Sequence, residues 1–154
     1  MNHISLQPFK QSHLPFLEKL YYSTREEELS RTNWSEQQKQ QFALMQFLAQ
    51  KTGYEKKFPN GLEQIIYFKK IPIGRLYINE TENSIHIIDI SLLPQYQNKG
   101  IGTFLLHQLI NTARKSHRSI TLQVIKTNHA KNLYARAGFV TISNDGARDY
   151  MECR

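Results

Sequence analysis

The stretch that most restricts the fold is residues 84–125. An isoleucine-rich run, residues 84–93, stops at Pro94. Gln97-Asn98-Lys99-Gly100-Ile101-Gly102 follows. Residues 100–116 then carry Ile101, Leu105, Leu109 and Ala113 on one helical face, widened by Leu106 and Ile110. Residues 120–125 return to a short apolar run. Strand, helix and strand in that order make a crossover unit, so the two strands must pair in parallel.

The flanking sequence reads as a mixed α/β order. Residues 3–6 suit a short strand stopped by Pro8. Ser12 can cap a helix in which Leu14, Leu17, Leu20 and Tyr21 recur at helical spacing. Ser35-Glu36-Gln37-Gln38 fits a capping box, and Phe42, Met45, Leu48 and Ala49 give the expected buried stripe of a second helix. Residues 62–68, 73–78 and 84–93 read as strands with tight links, which predicts an antiparallel meander. Residues 128–137 form a short helix that Gly138 can stop. Residues 139–142 and 148–153 form a last hairpin around Asn144-Asp145-Gly146.

A chain of 154 residues suits one domain over its whole length and needs no metal or disulfide staple. One cysteine, Cys153, excludes an internal disulfide and fits a reducing, cytoplasmic setting. No signal peptide and no apolar run of membrane-spanning length are expected. The net charge of +7 comes from 20 Lys and Arg against 13 Asp and Glu, scattered along the chain. The charge alone would permit a nucleic-acid-binding domain, but no helix-turn-helix or aromatic RNA-binding motif accompanies it. Neither nucleic acid nor a membrane is therefore an expected partner.

The loop at residues 97–102 lies directly after a strand and opens a helix. Glycines there let the backbone approach a ligand, and the free N–H groups with the helix dipole suit a phosphate or pyrophosphate. Lys99 adds a charge, and Thr103 a hydroxyl in the first turn. A plain tight turn has the same spacing. The Walker pattern is absent, and a dinucleotide fingerprint would need a third glycine where Leu105 stands.

Gln97 to Gly102 resembles the Q/R-x-x-G-x-G/A signature of the GNAT acetyltransferase superfamily. Leu133-Tyr134-Ala135-Arg136-Ala137-Gly138-Phe139 is similar to its second signature, L-Y-x-x-x-G-F, at fitting distance. The resemblance covers residues 62–150 well and the first helices loosely. It implies a mixed, mostly antiparallel sheet of six to seven strands flanked by about four helices, with acetyl-CoA as cofactor. Two positions depart from the pattern. Asn98 stands where Gly is frequent, and Thr127 where an Asn frequently bonds the pantetheine arm, with Asn128 one step later. Thr127 or Asn128 would then bond the cofactor or cap the helix.

The resemblance implies that the strand around Ile90, Leu92 and Leu93 offers backbone groups to that arm, one N–H polarising the acetyl carbonyl. It makes Tyr134 the candidate general acid, the alternative being a packed aromatic. Two polar residues interrupt the strand: His86, where some members place a glutamate base, and Asp89, which can serve as base or anchor the acceptor amine. Their opposite parity sends them to opposite faces unless a bulge intervenes. A surface histidine and a structural aspartate are the plainer readings.

The acceptor pocket implied by the resemblance draws on Tyr22, Arg25, Glu26 and Trp34. The run Glu26-Glu27-Glu28 is equally a solvated helix end. The implied activity is direct acetyl transfer to a primary amine, small or peptidic, and a homodimer is compatible. The rival is a non-catalytic acetyl-CoA-binding module on the same fold. No metal ligand set is expected.

Overall fold

The structure is a computed structural model that describes residues 1–126, 128 and 130–154. The described elements run β1 (Ile4–Pro8), α1 (Leu14–Ser30), α2 (Glu36–Lys57), β2 (Leu62–Phe68), β3 (Ile71–Glu80), β4 (Ser84–Leu92), α3 (Ile101–Lys115), β5 (Ser119–Ile125), α4 (Ala130–Arg136), β6 (Val140–Asn144) and β7 (Arg148–Cys153). One seven-stranded sheet has the order β1-β2-β3-β4-β5-β7-β6. Its pairs are antiparallel except β4 with β5. The expected meander and parallel crossover are both present.

Neighbouring residues Ile65 and Ile66 of β2 enter different apolar clusters, so both faces of the sheet are covered. On one face α3 buries Ile101, Leu105, Leu106, Ile110 and Ala113 against β3, β4 and β5, with Tyr134 and Phe139 beside them. Full burial of each large apolar chain contributes about 1.5–3 kcal/mol. On the other face Leu17, Leu20 and Tyr21 of α1 pack with Phe47 of α2, Ile65 and Leu93.

Three local expectations change. Pro8 lies within β1, an edge strand, where its missing N–H costs no ladder bond. Ser12 is not the cap of α1. A short 3-10 turn at Gln11–His13 precedes the helix, and His13 is its N-cap. That histidine is buried, accepts from the Lys10 N–H at Nδ1 and shares a 2.8 Å bond with the Tyr67 hydroxyl.

The third change concerns α2. Ser35 does cap it: Ser35 Oγ accepts from the Gln38 N–H, and the Ser35 N–H donates to Gln38 Oε1. Yet the helix buries Ala43 and Phe47, while Met45 is 68% and Leu48 48% exposed, with Ala49 exposed and Phe42 half-buried. Apolar residues surround α2 between 42 and 49, so its sequence alone sets no rotation. Contacts set it: Phe47 meets Tyr21 at 5.8 Å between ring centroids, and Gln50 and Tyr54 continue that face over Arg75.

Candidate active site

The site forms where β4 leaves β5. Their pairing runs from Ser84↔Ser119 to Ile87↔Leu122 and then stops. Beyond it β4 continues to Leu92 beside β3, and β5 to Ile125 beside β7. The edges of β4 and β5 that face each other beyond that point therefore carry no partner from the sheet, which leaves a cleft lined by backbone groups.

A bulge starts the parting. Tyr77 pairs with Asp89 and Ile78 with Ile87, so Ile88 is the extra residue. An inserted residue shifts parity by one. His86 and Asp89 therefore share the face under α2, as a bulge requires. Gly74 permits the close approach of β3 here: a Cβ on it would lie 2.3 Å from the Ser91 carbonyl oxygen.

After β4, the loop at residues 97–102 takes left-handed backbone at two positions. Asn98 has φ 60° and Gly100, the N-cap of α3, φ 83°. Gln97 folds back and donates from Nε2 to the Leu92 carbonyl at 2.9 Å. The first helical bond of α3 is Phe104 N–H to the Gly100 carbonyl. The N–H groups of Ile101, Gly102 and Thr103 thus lie in the first turn ahead of it, at the positive end of the dipole. Lys99 is exposed beside them, and the Ile101 side chain is buried in the core. Among the described residues, a Cβ on Gly102 would meet Leu133 alone, at 3.4 Å. An anionic diphosphate fits this turn.

On β4, Ile90 and Leu92 pack against the α3 cluster. The Leu93 N–H is already bonded to the Ile73 carbonyl at 2.8 Å, and the Leu93 side chain lies in the α1–α2 cluster. The free backbone groups of the cleft therefore come from residues 88–92. Asn128 Oδ1 accepts from the Ala130 N–H at 2.9 Å, whereas Thr127 lies outside the described residues.

Tyr134 is buried, its ring 5.9 Å from Phe139. The Gly138 turn closes α4 beneath it, with the Phe139 N–H bonded to the Tyr134 carbonyl. Lys131 of the same helix forms an ion pair with Asp149, a buried carboxylate of β7. Burial, and secondly the charge of Asp89, push the Tyr134 hydroxyl well above its ordinary pKa. It keeps its proton, as an acid must.

His86 is engaged elsewhere. Its ring stacks on Phe58 at 5.5 Å, and Nδ1 shares a 2.9 Å bond with Thr121 Oγ1. Burial, then the neighbouring Lys57 charge, lower its pKa and favour the neutral ring. Asp89 is engaged too: Oδ2 accepts from Arg75 Nε at 3.0 Å, Arg75 Nη2 at 2.9 Å and Ser91 Oγ at 3.0 Å.

Arg75, with Glu63, Gln50 and Tyr54, was not expected from sequence. The available signal was an arginine inside an apolar strand run, Ile73 to Ile78, which demands buried partners.

The acceptor-side residues do not converge on one point. Tyr22 donates from its hydroxyl to Glu36 at 2.8 Å. Arg25 donates from Nε to the Tyr21 hydroxyl at 3.1 Å and pairs with Glu28. Glu26 is exposed to solvent. Trp34 packs edge-on against Phe42, 5.1 Å away. Among the described residues no cluster could hold a metal ion.

Several solved structures share this architecture. The PaiA N-acetyltransferase of Thermoplasma acidophilum, solved with coenzyme A, superposes with a TM-score of 0.72 at 18% identity, covering 98% of each chain. An acetyltransferase of Thermus thermophilus gives 0.69 at 15% identity, covering 97% of this chain and 95% of that one. A chimera containing the spermidine N-acetyltransferase SpeG of Vibrio cholerae gives 0.64 at 19% identity, over 99% of this chain and 95% of the other. No curated protein matches by sequence. At these identities the likeness is one of fold. The acetyltransferase (GNAT) domain profile, however, matches residues 30–153 of the sequence itself, and by that match the chain belongs to the GNAT acetyltransferase family.

Proposed function

We propose that this protein is an N-acetyltransferase that moves an acetyl group from acetyl-CoA to a primary amine by direct attack in a ternary complex. The observation that carries the reading is the parting of β4 from β5 after Ile87↔Leu122, on the strand that leads through residues 93–96 into the loop at 97–102 and α3. Acetyl-CoA is the cosubstrate of the family, and it supplies an acyl group activated as a thioester.

Each part of the site has a role in this reading. The first turn of α3 and Lys99 hold the diphosphate. Backbone groups of residues 88–92 orient the pantetheine arm, which can add to β4 as an extra strand would. One of their N–H groups polarises the acyl carbonyl. Tyr134 Oη retains its proton and, in this reading, gives it to the leaving sulfur. An amine with pKa about 10.4 reaches the site protonated, so a proton must leave before attack. Asp89 is the acid anchor for that ammonium. His86, stacked and bonded to Thr121, suits removal of a proton only through intervening water. The acceptor approaches beside α1 and α2, where Tyr22, Arg25, Glu26 and Trp34 lie apart and can each contact a different portion of it. The one described free cysteine, Cys153, is buried and suits a reducing cytoplasm. No described helix is long and apolar enough to cross a membrane.

Incubation with acetyl-CoA and a panel of small amines, polyamines and peptides, followed by thiol release, tests the reading. Turnover that falls about 100-fold in Tyr134→Phe while coenzyme A binding persists is the expected result. The engagement of both base candidates favours one other reading, a non-catalytic acetyl-CoA-binding module. Calorimetric binding with no turnover on any amine would select it.

A further inference from the structure

Arg75 is an expensive residue to place where it lies. It is 5% exposed in the middle of β3, between Gly74 and Leu76. A buried guanidinium is tolerated only when its charge and its donors are met. Here they are met from three elements at once. Nε and Nη2 converge on Asp89 Oδ2 of β4, Nη1 donates to Glu63 Oε2 of β2 at 3.3 Å, and Nη2 donates to Gln50 Oε1 of α2 at 3.0 Å. The guanidinium also lies over the rings of Tyr54 and Tyr77, at 5.9 and 5.7 Å. Burial works against its charge, but Asp89 and then Glu63 outweigh that and hold its pKa above the ordinary value.

The position of Asp89 makes this arrangement consequential. It is the residue directly after the bulge at Ile88, at the point where β4 stops pairing with β5. Bulged residues have no ladder partner, so a bulge needs some other restraint to keep one geometry. The three described hydrogen bonds of Asp89 go to Oδ2, from Arg75 and from Ser91 two residues further along the same strand. They tie the strand just after the bulge to the centre of β3.

We propose that Arg75 is a positioning residue for acetyl transfer: held by α2 and β2, it latches Asp89 Oδ2 and so fixes the bulge at Ile88 and the width of the cleft between β4 and β5. Asp89 Oδ1 takes part in none of these described bonds and is the atom this reading offers to the reacting amine. This rests on the acetyltransferase reading for its effect on rate, but not for its effect on the cleft.

Three variants test it: Arg75→Gln, Arg75→Lys and the double variant Arg75→Gln/Glu63→Gln. The double variant keeps the net charge of the Arg75, Glu63 and Asp89 cluster at its original value, so it remains informative if Arg75→Gln fails to fold. Coenzyme A affinity is read by calorimetry, and kcat and acceptor KM by thiol release, on folded protein confirmed by circular dichroism.

Arg75→Gln and the double variant are expected to weaken coenzyme A binding severalfold and to lower kcat about 100-fold with acceptor KM changed far less, the size of effect expected when a reacting geometry slips by about 1 Å. Arg75→Lys, which keeps the charge but not the two converging donors, should recover only part of this. A folded double variant with unchanged coenzyme A affinity and unchanged kcat overturns the latch. So does a lowered melting temperature with both functional readouts intact, which is what a merely structural role would give. A wild-type protein that binds coenzyme A but transfers to no amine overturns the acetyltransferase reading instead, and the latch is then judged on binding alone.

Discussion

At the residue scale, burial and pairing decide what each polar group of the cleft can do. Tyr134 and His86 show the two signs. Burial disfavours the charged form of both, so the tyrosine keeps its proton and the histidine loses its own more readily. For His86 this has a consequence for stability. Its folded pKa lies below the ordinary value of about 6.5, so the unfolded chain takes up the proton first. Its contribution is complete above that value and is lost as the pH falls through the folded pKa. The denaturant midpoint of the wild type should therefore drop between about pH 7.5 and 5 by more than that of His86→Gln. Equal drops in the two proteins would show that the stacking on Phe58 leaves the ring free to charge.

The candidate residues themselves were only partly legible in the sequence. Tyr134 and the loop at 97–102 stand in fixed local spacing, so a linear reading finds them. Arg75 was invisible as a site residue because its partners Gln50, Glu63 and Asp89 are brought in from three separate elements. Tyr22 and Trp34, by contrast, come from one short region of the sequence but make separate contacts, with Glu36 and Phe42.

At the element scale, α2 and β4 depart most from what their sequences suggest. Helix α2 turns the face carrying Phe47, Gln50 and Tyr54 to the sheet and leaves Met45 and Leu48 in solvent. Met45→Lys should change stability by less than about 0.5 kcal/mol. Phe47→Ala, which empties a fully buried site, should cost about 3–5 kcal/mol. Chemical denaturation of the two variants side by side checks the rotation of the helix directly.

Strand β4 depends on how closely β3 approaches it. Because a Cβ at Gly74 would meet the Ser91 carbonyl oxygen at 2.3 Å, Gly74→Ala must push the strands apart next to the latch. It should destabilise the protein by about 1–3 kcal/mol and weaken coenzyme A binding in proportion to the lost cleft geometry. A destabilised variant that binds coenzyme A normally would uncouple the two effects. The capping box at Ser35 was readable because capping is a matter of spacing over a few residues. The bulge was readable only as a possibility, since it exists in the register between β3 and β4 and not in either strand alone.

At the scale of the whole molecule, the sheet combines one parallel pair with antiparallel neighbours, and the cleft opens within that pair, where its ladder stops. A cosubstrate seated there touches α3, β4 and β5 together, so its binding should stabilise the folded chain as a unit. Coenzyme A at about 100 times its dissociation constant adds about 2.7 kcal/mol, which for a chain of this size raises the melting temperature by about 5–10 °C. A thermal-shift titration with coenzyme A reads this, and adenine nucleotides lacking the pantetheine arm should give a smaller rise.

The sequence by itself determined the elements, the parallel crossover at β4 and β5, and the glycine-bearing start of α3. Each follows from residues within a few positions of one another, through hydrophobic period, caps and glycine placement. Only the tertiary structure decided which face of α2 covers the sheet, that His86 and Asp89 share a side, and that Asp89 is tied to Arg75. Those outcomes depend on strand register and on contacts between distant segments, whose energies exceed any local preference and leave no pattern along the chain.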